Sequence, residues 1–499
     1  MNLVILEGHD YQFDIREMLM QYFPRKNIIF QGESREDTYD YETVITNGLS
    51  IRKDEYIFYT VIKKNQQLIS KYEIQLPSPL PLTHNEVIKL VKRKLKITIY
   101  KAMEKAFNNS LPWGILTGIR PTKIVHQLLN MGKMKKEIIE YLESEYLLHH
   151  KKIDLLLKIA LNERNIIYPG DKNKISIYIG IPFCPSRCIY CSFISSTIGE
   201  KRDLLEKYLQ ALHHEIVQIG KYINNHKLNV ESIYIGGGTP TVLNAEELKH
   251  LLFTIKSNIN VEGIIEYTLE AGRPDTIDRE KLQIAYQYGI NRISINPQSM
   301  NDDTLHLIGR NHSSEDILRA YNLACETGFQ CMNMDLILGL PNESVNEVKN
   351  TLAKIKDLRP ENLTIHTMAV KKGSRLKDKL QDVDLSKEEE INKMLEATEE
   401  FARLNGYQPY YLYRQKYMMG NLENVGYCTA DNKGIYNIQM MAEKQTIIGL
   451  GAGSVTKVIY LEEDRLERVP NVKNVEQYIQ RVDELVNKKI VMLNDLYET

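Results

Sequence analysis

Between residues 172 and 370 the chain repeats one pattern six times: a short apolar run, a turn, then a stretch of helical periodicity. The runs fall at 175–179, 232–235, 264–270, 292–295, 332–337 and 363–367. In one intervening helix Leu205, Leu209, Leu212, Ile216 and Ile219 mark a single apolar face. Short apolar strands alternating with amphipathic helices predict an α/β fold, a parallel sheet covered by helices that is either open or an incomplete barrel. Parallel strands all point the same way, so the loops that follow them meet on one rim, and chemistry collects there.

The flanks differ in texture, and 499 residues are enough for two or three domains. Residues 1–165 read as a small α+β domain of unknown role. Met1-Asn2-Leu3-Val4-Ile5-Leu6-Glu7 reads as a strand rather than a signal peptide. Runs 41–45 and 56–61 are β-rich, and Asn47-Gly48 between them is a hairpin signal. After the turn-prone 77–81, Val87, Val91, Leu95, Ile99 and Met103 form the apolar stripe of a long basic helix whose lysines are expected to face solvent. Those lysines could offer an RNA-contacting face, although a net charge of -1 counts against a polyanion binder. Segment 111–123 contains Trp113, and in it Arg120 and Lys123 are available to an acidic substrate; a rigid connector with Trp113 as a packing anchor is the alternative. In the last part, 371–499, Ser386 with Glu389 predicts a capped helix running to Leu404. Residues 406–410 close it, a tyrosine-rich run follows, and a final helix is expected at 475–496. No stretch approaches the ~20 apolar residues of a membrane span, and the lack of a secretion signal points to an oxygen-poor cytoplasm.

Six cysteines are too sparse for a disulfide scaffold, yet three share one loop. Ile181-Pro182-Phe183-Cys184-Pro185-Ser186-Arg187-Cys188-Ile189-Tyr190-Cys191 follows the first strand directly, with the thiols spaced CxxxCxxC. Thiolates are soft ligands for zinc or for iron–sulfur clusters, and a structural zinc site wants four where this loop offers three. Cys325, Cys331 and Cys428 lie far along the chain, and Cys331 begins a strand, at the wrong end to complete the site. Three thiolates on a [4Fe-4S] cluster leave one iron open to the amino and carboxylate groups of S-adenosylmethionine. One electron from the reduced cluster would then cleave the sulfonium C–S bond and give a 5′-deoxyadenosyl radical.

One βα unit later comes Gly236-Gly237-Gly238-Thr239-Pro240, whose bare backbone suits the methionine end of that cofactor. Glu270 ends the third strand, Gln298 follows the fourth, and Asp335 lies near the end of the fifth. Carboxylates suit the cofactor's amine or ribose hydroxyls, and Arg310 suits its carboxylate. An isolated histidine such as His366 carries no assignment.

With these motifs the sequence resembles the oxygen-independent coproporphyrinogen III oxidase family of radical S-adenosylmethionine enzymes, over roughly residues 172–460. The cysteine loop and GGGTP carry the resemblance, with 334–341 like the family's DLIxGLP strand end and 291–294 like its NRIS strand. It implies a partial (β/α)6 TIM-like barrel with a mainly helical C-terminal accessory domain that covers the substrate, to which 449–454 looks like the GxGA segment. By likeness Tyr178 is catalytic and, with Tyr190 and residues 236–239, holds the cofactor; Glu270, Gln298, Arg310 and Asp335 grip it, Gln298 and Asp335 at the ribose. Phe193 stands where the best-characterised branch has a fourth cysteine, which moves the chain towards other branches, haem-chaperone-like proteins among them. The N-terminal part, with 117–123, looks like the long coproporphyrinogen dehydrogenase branch of clostridia and bacilli.

The implied reaction is oxidative decarboxylation of two propionates of coproporphyrinogen III to the vinyl groups of protoporphyrinogen IX in haem biosynthesis. A low-potential donor such as flavodoxin or ferredoxin would supply electrons. A tetrapyrrole with four carboxylates needs an apolar cavity edged by cations. Arg120, Lys123, Arg375 and Arg414 are candidates for that edge, and Tyr407, Tyr410, Tyr411, Tyr413, Tyr417, Met418 and Met419 for the lining. Gly426-Tyr427-Cys428 could abut the site, with Cys428 as a small hydrophobe. The rival readings are a haem-binding chaperone without decarboxylase activity, a radical enzyme acting on RNA, and a zinc scaffold.

Overall fold

The computed structural model describes residues 1–33, 41–52, 54–79, 82–192, 196–199, 202–369, 388–415 and 422–498. Ser386, Phe193, Arg375, Tyr417, Met418 and Met419 lie outside the described residues. Two compact units form, Met1–Leu157 and Lys158–Thr499.

In the first unit β1 (Asn2–Glu7), α1 (Gln12–Leu19), β2 (Ile28–Phe30), β3 (Thr43–Arg52), β4 (Glu55–Lys64) and β5 (Gln67–Pro77) precede α2 (His84–Phe107), α3 (Thr122–Asn130) and α4 (Lys135–Tyr146). The sheet runs β2-β1-β3-β4-β5. A capping box of Thr83 and Glu86 starts α2. Its stripe behaves as the periodicity predicts: Val91, Leu95, Ile99 and Met103 are buried, and Val87 packs against the same core.

Two expectations fail here. Asn47-Gly48 is no turn; both residues sit inside β3, paired with Thr60 and Tyr59 of β4. The Asn47 amide, fully buried, instead donates to Thr60 Oγ1 at 2.9 Å and Thr98 Oγ1 at 3.3 Å, and a buried polar group with partners is worth more than a turn preference. The hairpin bends between Arg52 and Glu55. Nor do the lysines of α2 simply face water. Lys92 and Lys96 lie 2.9 and 3.5 Å from Asp14, and Arg93 and Lys94 lie 2.8 and 2.9 Å from Glu145, all four half-buried.

Helix α5 (His150–Ile167) crosses from one unit's sequence into the other. The second unit then unfolds as β6 (Lys174–Ile181), β7 (Phe183–Cys184), β8 (Ser196–Thr197), α6 (Arg202–Asn225), β9 (Asn229–Gly237), α7 (Ala245–Asn258), β10 (Glu266–Glu270), α8 (Arg279–Gln287), β11 (Arg292–Ser294), α9 (Asp302–Leu307), α10 (Ser314–Thr327), β12 (Cys331–Leu338), α11 (Val345–Leu358) and β13 (Asn362–Thr367). All six apolar runs of the sequence become the parallel strands β6, β9, β10, β11, β12 and β13, hydrogen-bonded in that order. The predicted face of α6 is buried throughout.

Beyond 388 come α12 (Glu388–Leu404), β14 (Gln408–Tyr413), β15 (Asn424–Cys428), α13 (Ile435–Ala442), β16 (Thr446–Leu450), β17 (Val455–Tyr460), β18 (Arg465–Pro470) and α14 (Val475–Tyr497). These strands join the same sheet. β16 lies parallel beside β6 with β17 and β18 outside it, while β15 lies antiparallel beside β13 with β14 outside it. Both edges of the six-stranded core are thereby paired, which removes the exposed donors and acceptors an open edge would carry. Among the described residues no helix is long and apolar enough to cross a membrane.

A fully buried ion pair ties α14 to this core. Lys489 on α14 and Glu215 on α6, neither exposed, form a salt bridge. Glu215 also accepts from the Gly451 amide at 2.7 Å, from Tyr478 at 2.6 Å and from Asn471 at 3.1 Å. Removing one partner of such a pair strands a charge in low dielectric. Lys489→Met should therefore cost about 3–5 kcal/mol, read from urea unfolding by circular dichroism, and adding Glu215→Gln should recover part of it. A single variant as stable as the parent would contradict the account.

Candidate functional site

The rim at the carboxyl ends of the parallel strands holds a cavity of about 320 Å³, near the lower end of the ~300–1,000 Å³ typical of small-molecule sites. Cys184, Cys188, Cys191, Tyr190, Gly237, Gly238, Thr239, Glu270, Gln298, Arg310 and Asp335 all line it. The structure thus brings together residues that the sequence spreads across five βα units.

The cysteine loop is held from three sides. β7 pairs with β8, and Ile198 donates to the Cys184 carbonyl at 3.1 Å. The Cys191 amide turns back to the Cys188 carbonyl at 3.2 Å, and Ile189 donates to the Ile308 carbonyl at 3.0 Å, anchoring the loop beyond α9. The glycine turn closes over it: Gly238 and Thr239 donate to the carbonyls of Ile181 and Phe183, each at 2.8 Å, and Thr239 Oγ1 lies 3.6 Å from Cys184 Sγ. This approach explains the glycines. A Cβ at Gly238 would sit 2.4 Å from the Phe183 carbonyl oxygen, and one at Gly236, just behind the cavity wall, 2.5 Å from Glu270 Oε2.

Two carboxylates in the cavity are tuned apart. Burial, helped by the nearby Asp335 charge, pushes the Glu270 carboxyl up to about 7, against a single bond from the Gly237 amide at 3.3 Å. Burial would raise Asp335 as well, but His366, Asn333 and Thr364 outweigh it and hold that carboxyl below its ordinary value. Asn333 Nδ2 donates to Asp335 Oδ1 at 2.8 Å, and His366 Nε2 lies 3.7 Å from Oδ2. Tyr413 OH lies 3.2 Å from the other ring nitrogen of His366. Environments that split two like acids leave one able to be neutral while the other stays charged.

Polar capacity remains open in the walls. Gln298, held at φ +69° with its amide donating to the Asp335 carbonyl at 2.9 Å, has its buried Oε1 without a hydrogen-bond partner. Arg310 spends Nη1 on the Asn296 carbonyl at 2.5 Å and Nη2 on Tyr190 OH at 3.3 Å, yet its buried Nε also lacks a partner. Orphaned buried groups facing a cavity are what a polar ligand would satisfy. Among the described residues no three His, Cys, Asp or Glu side chains close on one point as a lone metal ion requires.

Other expected residues lie elsewhere. Tyr178 stacks on Tyr234 and Tyr436 at centroid distances of 6.2 and 6.1 Å and lines a second cavity of about 200 Å³, together with Gly237, residues 452–454 and Lys473. Tyr413 reaches the main cavity. Tyr410 and Tyr411 instead form a separate core with Ile167, Cys428 and Ile438, and Tyr407 is buried with its hydroxyl on the Pro360 carbonyl at 2.6 Å. Arg414 is buried near Glu423, its guanidinium lowered to about 10 by burial, and it does not line the cavity that its neighbours Tyr413 and Gln415 line. Arg120 and Lys123 belong to the first unit, the one just before α3 and the other in its first turn. Cys331 receives Arg292 Nη1 at 2.9 Å, and burial pushes its thiol up to about 12. Arg273 and Asn296, which no motif marks, and His366, to which the sequence assigns no role, also stand in the cavity wall. Each sits at or just after a strand's carboxyl end, the positional signal that could have found them.

The radical SAM superfamily profile matches residues 178–355. The chain is 40% identical over 423 residues to the oxygen-independent coproporphyrinogen-III oxidase-like protein HemZ of Bacillus subtilis, covering 84% of each. It is 35% identical over 243 residues to the heme chaperone HemW of Haemophilus influenzae, covering 47% of this chain and 61% of that one. Among solved structures it is similar to the coproporphyrinogen III oxidase HemN of Escherichia coli, a radical SAM enzyme, with a TM-score of 0.52, 23% identity, and 66% and 73% of the two chains covered.

Because Glu270 is more comfortable protonated, the folded chain binds a proton there that the unfolded chain gives up above the ordinary carboxyl value of about 4.5. Stability should fall as pH rises from there towards 7, by at most about 3 kcal/mol. Glu270→Gln should then raise the melting temperature of the cofactor-free protein at pH 8 and leave it little changed at pH 5. Equal effects at both values would show that the carboxyl is not perturbed.

Proposed function

The chain belongs to the radical SAM superfamily and, within it, to the family of the oxygen-independent coproporphyrinogen-III oxidase-like proteins, and from that premise we propose that it decarboxylates coproporphyrinogen III oxidatively to protoporphyrinogen IX. Its superfamily works with a [4Fe-4S] cluster and S-adenosylmethionine. The observation that carries the proposal is the meeting of three thiols, a glycine turn, two oppositely tuned carboxylates and unsatisfied polar atoms on one cavity.

Cys184, Cys188 and Cys191 would hold the cluster as its three protein ligands. Residues 236–239 and Tyr190 lie along the cofactor's methionine end; Glu270 takes its ammonium, Arg310 its carboxylate, and Gln298 with Asp335 its ribose hydroxyls. These roles suit the orphaned Gln298 Oε1 and Arg310 Nε and the ionised state that His366 favours at Asp335. When bound, the pair supplies one-electron cleavage to a carbon radical able to take a hydrogen atom from a propionate β-carbon. In the reaction this would serve, each propionate becomes a vinyl group with the loss of carbon dioxide, one hydrogen atom and one electron, the last passing to an acceptor. Tyr178, half-buried in β6 beside the second cavity, orients cofactor and substrate. The electron comes from a low-potential donor of the flavodoxin or ferredoxin kind, in the cytoplasm.

The match to a heme chaperone supports a second reading, haem binding without decarboxylation. Anaerobic turnover with coproporphyrinogen III, reductant and S-adenosylmethionine separates the two. Vinyl products by mass spectrometry support the first; tight haem binding with no vinyl product overturns it.

Two sets of variants test the assignments. Alanine at Cys184, Cys188 or Cys191 should drop iron and sulfide from about four each per chain to near zero; cofactor cleavage surviving in any of them would remove that ligand. Asp335→Ala should leave iron near normal and weaken S-adenosylmethionine by about ten- to a hundredfold in calorimetry, the worth of hydrogen bonds to a charged group. Unchanged affinity would end the ribose role.

A further inference from the structure

Arg273 follows β10 just before Pro274, and its side chain is only 4% exposed. Nε and Nη2 hold the two oxygens of Asp275 at 3.0 and 2.9 Å. Nη1 donates to Ser186 Oγ at 2.7 Å and lies 3.9 Å from Cys188 Sγ. Ser186 in turn donates to the Gly309 carbonyl at 3.2 Å. The guanidinium therefore grips the loop between two of the cysteines and aims an N–H at a thiol that is itself buried. Arg310 bears electrostatically on the same thiol. Behind Arg273, His312 Nδ1 stands 3.5 Å from Asp275 Oδ1. Burial alone would raise the Asp275 carboxyl, but His312 and Arg273 hold it well below the usual carboxylate range, so the arginine faces a charged partner.

Anchoring Ser186 would need only a neutral donor. Burying a guanidinium to do it, with a carboxylate that is still partly open to water as its partner, costs desolvation that their attraction only partly returns. The charge has a use if an anion lies next to it. We propose that Arg273 is a positioning residue that sets the reduction potential of the cluster on Cys184, Cys188 and Cys191 through the Cys188 sulfur, with Asp275 fixing how much of its charge the sulfur feels. This rests on the cluster assignment above. Reduction brings one electron from the external donor and breaks no bond, so the reduced form carries one more negative charge. A cationic N–H beside a ligand sulfur favours that form and raises the potential; a carboxylate behind it opposes the effect.

Potentiometric titration of the anaerobically reconstituted full-length protein with dithionite, followed by electron paramagnetic resonance, reads the effect apart from activity. Arg273→Gln should lower the reduced-to-oxidised ratio at fixed potential about tenfold, a downward midpoint shift of about 59 mV for one electron. Asp275→Asn should move the midpoint the other way. Opposite shifts from two halves of one ion pair are what a merely structural role would not produce. Iron and sulfide counts on the same samples keep the two ideas separate: a parent protein without a cluster refutes the assignment. Normal iron with midpoints unmoved, or moved in the same direction, overturns the tuning role. If Arg273→Gln does not hold iron, Asp275→Asn decides alone, and an unchanged midpoint there overturns the role.

Discussion

Parallel pairing is the constraint from which the rest follows. Each strand from β6 to β13 hydrogen-bonds its neighbours in the same direction, so each must be followed by a crossover, and every crossover leaves from the same rim. Cys184 after β6, Gly237 at the end of β9, Glu270 at the end of β10, Gln298 after β11 and Asp335 within β12 share a cavity for that reason alone. The arrangement would be fragile if the sheet's edges were open. They are not, because β16 and β15, both late in the sequence, pair with the first and last strands of the core.

The same burial that gathers these side chains makes them chemically unequal. Two carboxyls in one poorly solvated cavity resist carrying charge together. Glu270, with one weak amide bond, yields and is raised; Asp335, with Asn333 and His366 against it, keeps its charge and raises Glu270 further. The asymmetry lies in the supporting residues, since both groups are half-buried. A cationic ligand entering the cavity would favour the charged form of Glu270 and pull it back towards ionisation. Such a cavity would couple the binding of a cationic ligand to proton release.

The parts of this architecture visible in the sequence are those governed by short-range pattern. Strand runs, the α2 stripe, the CxxxCxxC spacing and the glycine turn each depend on residues within a few positions of one another, and each was found where expected. What escaped depends on distant partners. Asn47-Gly48 reads as a turn until Thr60 and Thr98 arrive to satisfy the amide. The lysines of α2 look solvated until Asp14 and Glu145 come near. Tyr407, Tyr410 and Tyr411 look like a ligand cavity's lining because tyrosine serves both purposes, and only packing against Ile167 and Ile438, or a bond to Pro360, shows which. His366 and Arg273 carry no motif; their meaning comes from Asp335 and Cys188.

The two metal centres that such a cysteine loop could hold ask different things of its ligands. A zinc ion is a point, and its thiolates must converge to about 2.3 Å from it. A four-iron cluster is a body with a ligand at each corner, so its thiolates surround a volume and need not meet. The loop here turns tightly at Cys191, is pinned at Ile189 to the residue after α9, and presents its three cysteines to one cavity. Thr239 and Arg273 approach different sulfurs, those of Cys184 and Cys188, from different strands. Donors distributed in this way suit ligands that stand apart on a cluster, where each sulfur has its own surroundings, better than ligands crowded on a single ion.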